Sequence, residues 1–268
     1  MQNKKIFILG AAHSGTTILY NMLAYHNELA WFSQFSQRDK HIPNRKKLLF
    51  SNVYKRLMRQ IIKHSWQKVN KKKWIPFPSE AKIIWDYVFS PQNILERENL
   101  VKRIIDDELK SWWKNSILFK KPSLGNYIDF FQETFGSEAY FIHIVRDGRA
   151  VILSDLHKFY KNCSSDEALD KAINYWNDYI NAIDNFKTKH KNAKIIEIKY
   201  EDFIAYIHFS LKKVFEFCEL NNETFDFNLI PKSLRSMNDK WINEDNSEFI
   251  ERIEFKITVN LKKYNYVY

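Results

Sequence analysis

The segment Lys5–Leu23, KIFILGAAHSGTTILYNML, limits the possible folds of this chain more than any other stretch of the sequence. Its first part, Lys5–Leu9, is the apolar run of a short buried strand. A loop bounded by Gly10 and Gly15 follows, and apolar residues then recur at helical spacing, which predicts a helix over residues 16–26. A strand, a glycine-bounded loop and a helix direct backbone N–H groups and the positive end of the helix dipole at one anion. The segment therefore predicts a phosphate-binding loop.

The letters of the loop indicate which phosphate compound it suits. A nucleoside triphosphatase loop reads GxxxxGK[ST], and here Thr16 occupies the lysine position. Because that lysine neutralises the β- and γ-phosphates, its loss argues against ATP or GTP hydrolysis. The string His13-Ser14-Gly15-Thr16-Thr17 resembles the 5′-phosphosulfate loop of sulfotransferases that use 3′-phosphoadenosine 5′-phosphosulfate (PAPS), whose usual form is [K/R]SGTT. The resemblance implies that these five residues hold the 5′ end of PAPS.

A second motif lies about 130 residues further on, in the stretch YFIHIVRDGRAVILSDLHKFY. Tyr140–Val145 has the composition of a strand, and Arg146 begins the turn into a helix that carries Ser154. Eight residues are a little over two helical turns, so the two side chains can face one side. The pattern resembles the RDxRxxxxS segment of the same family. This resemblance implies that Arg146 and Ser154 hold the 3′-phosphate of PAPS.

Two shorter segments resemble the same family. Lys120 stands at the lysine position of a KxP-type turn, after a predicted strand over residues 117–120. Tyr200 begins the string YEDF after a predicted strand over residues 194–199, and this string is similar to the family's YEDL segment. The resemblance covers residues 5–220 in order. It implies that Tyr200 contacts the nucleotide and that Lys120 supplies positive charge near the reacting group.

Composition and length limit the function classes. The chain has 268 residues, 45% of them hydrophobic, and lacks a Pro/Gly/Ser-rich linker, so we expect one domain over residues 1–268. No apolar run reaches the roughly 20 residues that span a bilayer, and no signal sequence opens the chain, so we expect a cytoplasmic protein without a membrane span. Cys163 and Cys218 are the only cysteines and form neither a disulfide framework nor a zinc-ligand cluster.

The formal charge of +10 suits an anionic nucleotide donor and also permits nucleic-acid binding. The densest basic stretch is residues 63–73, between Trp66 and Trp74. Basic residues beside aromatic ones can bind single strands, but such a run is more often a solvated helix end. Nucleic acid is therefore not the favoured partner, and the sequence predicts no oligomeric state.

The remaining elements alternate in a way that predicts the fold. The patterns predict a strand over 30–35 and an extended connector over 74–79. They predict helices over 45–70, 167–188 and 248–263, and another after Leu211. A further helix with an apolar stripe is predicted to start at Ser90-Pro91. Strands alternating with helices predict an α/β, three-layer, P-loop-like fold with a central parallel sheet. Ligands in such folds bind at the carboxyl ends of the strands, where Gly10, Lys120, Arg146 and Tyr200 all fall.

One position departs from the family pattern. His13 stands where the family has lysine or arginine, and the charge of a histidine is conditional near neutral pH. His13 either serves as the cation beside the phosphosulfate or donates a neutral hydrogen bond while Lys120 supplies the charge. The donor's charge can be met by backbone N–H groups, Arg146 and Lys120, so no metal is required, and no HExxH or CxxC spacing is present.

The acceptor side carries no matching motif. A base must take the acceptor's proton, and the candidates are Glu80, Asp39 and His41, of which Glu80 ranks first because Trp85 and Asp86 follow it. The sequence thus predicts a nucleotide-binding transferase that moves a sulfuryl group from PAPS to a hydroxyl or amine, with a carbohydrate or a small molecule as the candidate acceptor. A P-loop nucleotide or metabolite kinase and a non-enzymatic nucleotide- or nucleic-acid-binding protein are the alternatives.

Overall fold

The computed structural model describes residues 3–32, 80–81, 84–159, 166–236, 238 and 247–266. These residues form a five-stranded sheet in which every neighbouring pair is parallel, with the order β2-β3-β1-β4-β5. The strands are β1 Lys4–Leu9, β2 Leu29–Trp31, β3 Ser116–Lys120, β4 Ala139–Val145 and β5 Lys194–Lys199. The predicted α/β class with a central parallel sheet is confirmed.

Helices flank the sheet. The α-helices are α1 Thr16–Leu23, α2 Arg97–Trp112, α3 Ile128–Phe135, α4 Gly148–Phe159, α5 Asp166–Lys189, α6 Tyr200–Ala205, α7 Ile207–Phe217 and α8 Ser247–Lys263. Short turns of π- or 3₁₀-helix occur at Ile84–Val88, Pro91–Asn93, Pro122–Tyr127, Gly136–Glu138, Asn222–Thr224 and Phe227–Leu229. No helix within the described part of the chain is both long and apolar enough to cross a bilayer.

The core lies around β1, β3 and β4, whose residues are all buried. Phe7 of β1 pairs in register with Phe119 of β3 and Phe141 of β4, and the ring centroids lie 5.0 and 5.3 Å away. Phe131 of α3 closes over Phe7 at 4.5 Å. Because helices cover the sheet, these strands are apolar on both faces, and this is why they stand out in the sequence as continuous runs.

Several predicted elements are present with small shifts. The apolar stripe of the long helix, from Leu169 to Ile183, is buried, and that helix spans Asp166–Lys189 against the predicted 167–188. The helix predicted after Leu211 begins earlier, at Ile207, and the low-contrast pattern over 248–263 is indeed helical.

Three predicted boundaries are wrong. The first helix ends at Leu23 and not at residue 26, because the His26 amide turns back to the Leu23 carbonyl and its ring bonds the distant Asn221 carbonyl. Ser90-Pro91 starts only the 3₁₀ turn Pro91–Asn93, and the α-helix begins at Arg97. The strand predicted over 30–35 is Leu29–Trp31, and its residues 33–35 lie outside the described chain. The predicted helix 45–70, the connector 74–79 and the basic stretch 63–73 also lie outside it.

Candidate nucleotide-binding site

Four of the sequence-predicted residues lie at one edge of the sheet. Gly10 follows β1, Lys120 ends β3, Arg146 follows β4 and Tyr200 follows β5. The strands are parallel and in register, with Ile8 opposite Lys120, so their carboxyl ends meet at one place. This edge is where ligands bind in parallel α/β sheets.

The loop between β1 and α1 has the backbone of an anion-binding turn. His13 and Gly15 both adopt the left-handed conformation, with φ of 66° and 88°. Two features favour glycine over any other residue at position 15. The left-handed backbone suits glycine, and a Cβ there would lie 2.5 Å from the ring of Tyr200. The amides of Thr16 and Thr17 belong to the first turn of α1, whose N–H groups have no partner within the helix. Amides and a helix dipole in this arrangement are suited to an anion, so this end of the loop is the candidate anion site.

Arg146 ties the second motif to this loop. Its Nη1 donates to the His13 carbonyl at 2.7 Å, and its Nε donates to Asn238 Oδ1 at 2.7 Å. The guanidinium also stacks over the Tyr200 ring, 4.6 Å from the centroid. Burial lowers the pKa of Arg146, but an arginine still keeps its charge in proteins. A buried cation is therefore fixed beside the loop.

The rest of the RDGR string supports the site from behind. Arg149 pairs with Asp147 at 2.7 Å and with Glu254 of α8 at 2.5 Å, and it donates to the Tyr266 carbonyl. Tyr266 in turn donates to Glu201 at 2.6 Å, and Glu201 accepts from the Asn238 amide group. This network explains why the turn carries two arginines: one faces the loop and the other anchors α8.

Asp155 of α4 contacts the loop, and Ser154 precedes it in the same helix. Ser154 Oγ donates to the Ala150 carbonyl at 2.7 Å, one helical turn back. Asp155 Oδ1 lies 3.5 Å from Nε2 of His13, so the residue at the unusual loop position faces a carboxylate. The neighbour of Ser154 is thus in contact with the loop, and the serine is one residue away from that contact.

Lys120 and Glu80 form a second group. Lys120 Nζ donates to Glu80 Oε1 at 2.6 Å; the lysine is buried, and the carboxylate is 48% exposed. The Trp85 indole donates to the Glu80 carbonyl, and its ring packs in the aromatic core. Trp85, which helped to rank Glu80 first among the base candidates, is only 7% exposed. The other base candidates, Asp39 and His41, lie outside the described residues.

Sequence reasoning missed several residues that build this site. Tyr175 and Tyr179 of α5 accept hydrogen bonds from the amides of Ala12 and Gly10, and Asn238 joins Arg146 to Glu201. The tyrosines are four residues apart on a predicted helix, and that spacing places them on one face. No local pattern marks Asn238, because its partners are distant in the chain.

A parallel sheet with a glycine-bounded loop at its carboxyl edge, faced by a buried arginine, defines an α/β protein with a candidate phosphate-binding site. A sequence model described as the sulfotransferase family matches residues 5–224, most of the chain. The chain belongs to the sulfotransferase family, so it is a transferase of the sulfuryl-transfer class. No curated protein matches the sequence.

Solved structures share the fold at low sequence identity. The sulfotransferase STF9 from Mycobacterium avium aligns with a TM-score of 0.63 and 12% identity over 98% of this chain and 76% of that chain. The sulfotransferase domain from the curacin biosynthetic pathway aligns with a TM-score of 0.54 and 14% identity over 96% of this chain and 99% of that chain. Mouse sulfotransferase SULT7A1, solved in complex with PAP, aligns with a TM-score of 0.51 and 14% identity over 97% of this chain and 84% of that chain. At these identities the likeness concerns the fold.

Proposed function

We propose that this protein transfers a sulfuryl group from PAPS to a hydroxyl or amine acceptor. The observation that carries the proposal is the hydrogen bond from Arg146 to the His13 carbonyl. It joins the segment that resembles a 5′-phosphosulfate loop to the segment that resembles a 3′-phosphate site. A nucleotide phosphorylated at both its 5′ and 3′ positions suits two such anion sites at neighbouring strand ends. The PAP complex of the mouse relative is consistent with this nucleotide.

The residues present fit the two ends of such a donor. The amides of Thr16 and Thr17, with the His13 side chain, would hold the 5′-phosphosulfate. Arg146 would hold the 3′-phosphate through charged hydrogen bonds, with Tyr200 stacked against its guanidinium. Ser154 now donates to Ala150, so its hydroxyl must rotate to donate to a phosphate.

The Lys120–Glu80 pair is our proposal for the acceptor side. The Glu80 carboxylate is half exposed and held by a buried ammonium group, so it is fixed and still open to a second molecule. Glu80 takes the proton of the acceptor hydroxyl or amine, whose lone pair forms the new bond to sulfur. The bond from sulfur to the 5′-phosphate oxygen breaks, and PAP leaves with that electron pair. Lys120 stabilises the negative charge that develops on the leaving 5′-phosphate oxygen.

A thermal-shift comparison with four ligands tests the donor directly. The ligands are PAP, PAPS, ATP with magnesium, and single-stranded DNA. PAP and PAPS in EDTA should raise the melting temperature, and a ligand at 100 times its Kd adds about 2.7 kcal/mol of stability. A shift from ATP and magnesium alone would favour a kinase, and a salt-sensitive shift from DNA alone would favour a nucleic-acid-binding protein.

A further inference from the structure

The backbone after Glu80 is held in a conformation that alanine rarely adopts. Ala81 has a φ of 49°, in the left-handed region, and its side chain is buried. A non-glycine residue in this region is strained, and such strain persists only where the surrounding contacts fix it. The Ile84 amide donates to the Ala81 carbonyl at 2.9 Å, and the Trp85 indole N–H donates to the Glu80 carbonyl. Two successive carbonyls are therefore tied to the π-helical turn Ile84–Val88.

Trp85 is itself fixed by its surroundings. Its ring is buried, and the Lys121 ammonium lies over it, 4.6 Å from the ring centroid. Phe89 stacks on the Trp85 ring at 5.3 Å, and Phe131 meets it edge to face at 5.7 Å. Because a ring packed in this way has one orientation, the core sets the direction of its N–H group. The Glu80 carbonyl is thus bound to a rigid donor.

Two consecutive lysines after the apolar part of β3 contact the two ends of this arrangement. Lys120 donates to the Glu80 carboxylate at 2.6 Å, and Lys121 covers the ring that holds the Glu80 carbonyl. Glu80 is therefore held at both its side chain and its backbone, although its carboxylate is 48% exposed. A general base has to lie within hydrogen-bond reach of the proton that it takes. The backbone anchor at Trp85 contributes to that placement.

We propose that Trp85 is a positioning residue that directs the Glu80 carboxylate at the acceptor by holding the Glu80 carbonyl. The inference rests on the proposed function, because it concerns the base of that reaction. Trp85 is buried, so it acts through Glu80 and not by contact with the acceptor. Loss of the indole N–H leaves the left-handed backbone with one of its two anchors, and the carboxylate is then less closely placed. A misplacement of about 1 Å can lower a rate by about 10²-fold.

Steady-state kinetics with PAPS and an accepted hydroxyl substrate test this role in two variants of the full chain. Trp85→Phe removes the N–H group, and 3-benzothienylalanine at position 85 replaces it by sulfur and keeps the shape of the ring. Both variants should lower kcat by about 10- to 100-fold and leave the Kd of PAP unchanged. Trp31→Phe is the matched control, because Trp31 is also buried and donates to a carbonyl, that of Ala24, at 3.1 Å. It should keep the wild-type kcat.

A second substitution separates positioning from support of the fold. In a Glu80→Gln background, Trp85→Phe should lower the remaining turnover by less than about twofold, because the base through which it acts is already absent. A loss in that background as large as in the wild type overturns the inference, since Trp85 would then act by supporting the fold.

Two further results also overturn the inference. One is a wild-type kcat in the benzothienylalanine variant, and the other is full turnover in Glu80→Gln alone, because Glu80 is then not the base. Each of these results leaves sulfuryl transfer from PAPS standing. A wild-type protein that neither binds PAP nor transfers a sulfuryl group removes the proposed function, and the inference with it.

Discussion

Arg146 donates a hydrogen bond to the carbonyl of His13 at 2.7 Å, across 133 positions of the chain. The bond fixes the backbone of the residue whose side chain faces Asp155 on the opposite side. His13 is thus held at its carbonyl by a cation and faces a carboxylate with its imidazole. The left-handed backbone at His13 and the position of Arg146 after β4 are parts of one arrangement.

We propose that His13 serves as the loop cation in place of the family's lysine or arginine, and substitution tests this role. His13→Ala should lower the rate of sulfuryl transfer more than it lowers PAP affinity, because the loop amides still bind the nucleotide. His13→Lys should retain turnover, since it returns a cation to the same position facing Asp155. The measurement is kcat and PAP Kd for the three proteins. Equal turnover in the wild type and His13→Ala would mean that His13 only packs and that Lys120 or Arg146 carries the charge.

Gly15→Ala should destabilise the protein and weaken PAP binding. The substituted residue must keep φ near 88°, and its Cβ would meet the Tyr200 ring at 2.5 Å. Backbone strain and overpacking together should cost about 2 kcal/mol or more. Urea unfolding measures this loss. Gly136→Ala is the matched control, because Gly136 also has a positive φ, of 52°, but open space around its Cβ. A loss no larger than that of the control would show that the contact with Tyr200 is unimportant.

Glu80→Gln should reduce kcat by about 10²–10⁴-fold and leave PAP affinity unchanged. The amide oxygen can still accept from Lys120, but it no longer takes up a proton. Glu138→Gln is the control, since Glu138 pairs with the buried Lys5 at the same 2.6 Å but at the amino ends of the strands. Stopped-flow or radiolabel transfer assays with an accepted hydroxyl substrate provide the rates. Normal turnover in Glu80→Gln would remove Glu80 as the base.

Stability should fall as the pH drops below about 6.5, because of His143. This residue is fully buried on β4, and burial lowers its pKa, although Nδ1 lies 3.1 Å from Glu197. The unfolded chain therefore binds a proton at a pH where the folded chain does not. The contribution of neutral His143 to the free energy of unfolding is complete above the pKa that histidine has in the unfolded chain. It is lost as the pH falls to and through the pKa of His143 in the folded chain, at up to about 1.4 kcal/mol per pH unit.

Urea unfolding between pH 7.5 and 5.5 measures that slope. His143→Gln should flatten it, whereas His157→Gln, at an exposed histidine of α4, should not. Below pH 4.5 a second loss should begin. Burial alone would raise the pKa of Glu197, but hydrogen bonds from His143 and Lys187 outweigh it and hold that pKa below its usual range. Parallel slopes for the wild type and His143→Gln would contradict the first part of this account.

The strands and their polar ends could be predicted because the signals are local. β1, β3 and β4 are buried on both faces and appear as continuous apolar runs. Gly10 follows β1, Lys120 ends β3, Arg146 follows β4, and Tyr200 follows the less buried β5. A parallel sheet then brings these strand ends together at one edge, whatever the length and conformation of the connecting loops. This is why the edge that carries the site was predictable from the sequence.

The supporting contacts could not be predicted, because they join residues that are distant in the chain. Asn238 bonds both Arg146 and Glu201, and Tyr175 bonds Ala12 across 163 positions. The helix start predicted at Ser90-Pro91 is wrong for a different reason. A serine before a proline starts a 3₁₀ turn as readily as an α-helix, and here it starts the 3₁₀ turn Pro91–Asn93.

We propose that Arg146, which donates to the loop carbonyl of His13, binds the 3′-phosphate of a 5′-phosphorylated adenosine. Calorimetric titration in EDTA with PAP and adenosine 5′-monophosphate tests it most directly, because the two ligands differ only in that phosphate. The wild type should bind PAP at least about tenfold more tightly. Arg146→Ala should lose that advantage, and Arg103→Ala, at an exposed arginine of α2, should keep it. Equal affinities for the two nucleotides in the wild type, or an advantage that survives in Arg146→Ala, would show that Arg146 does not bind a 3′-phosphate.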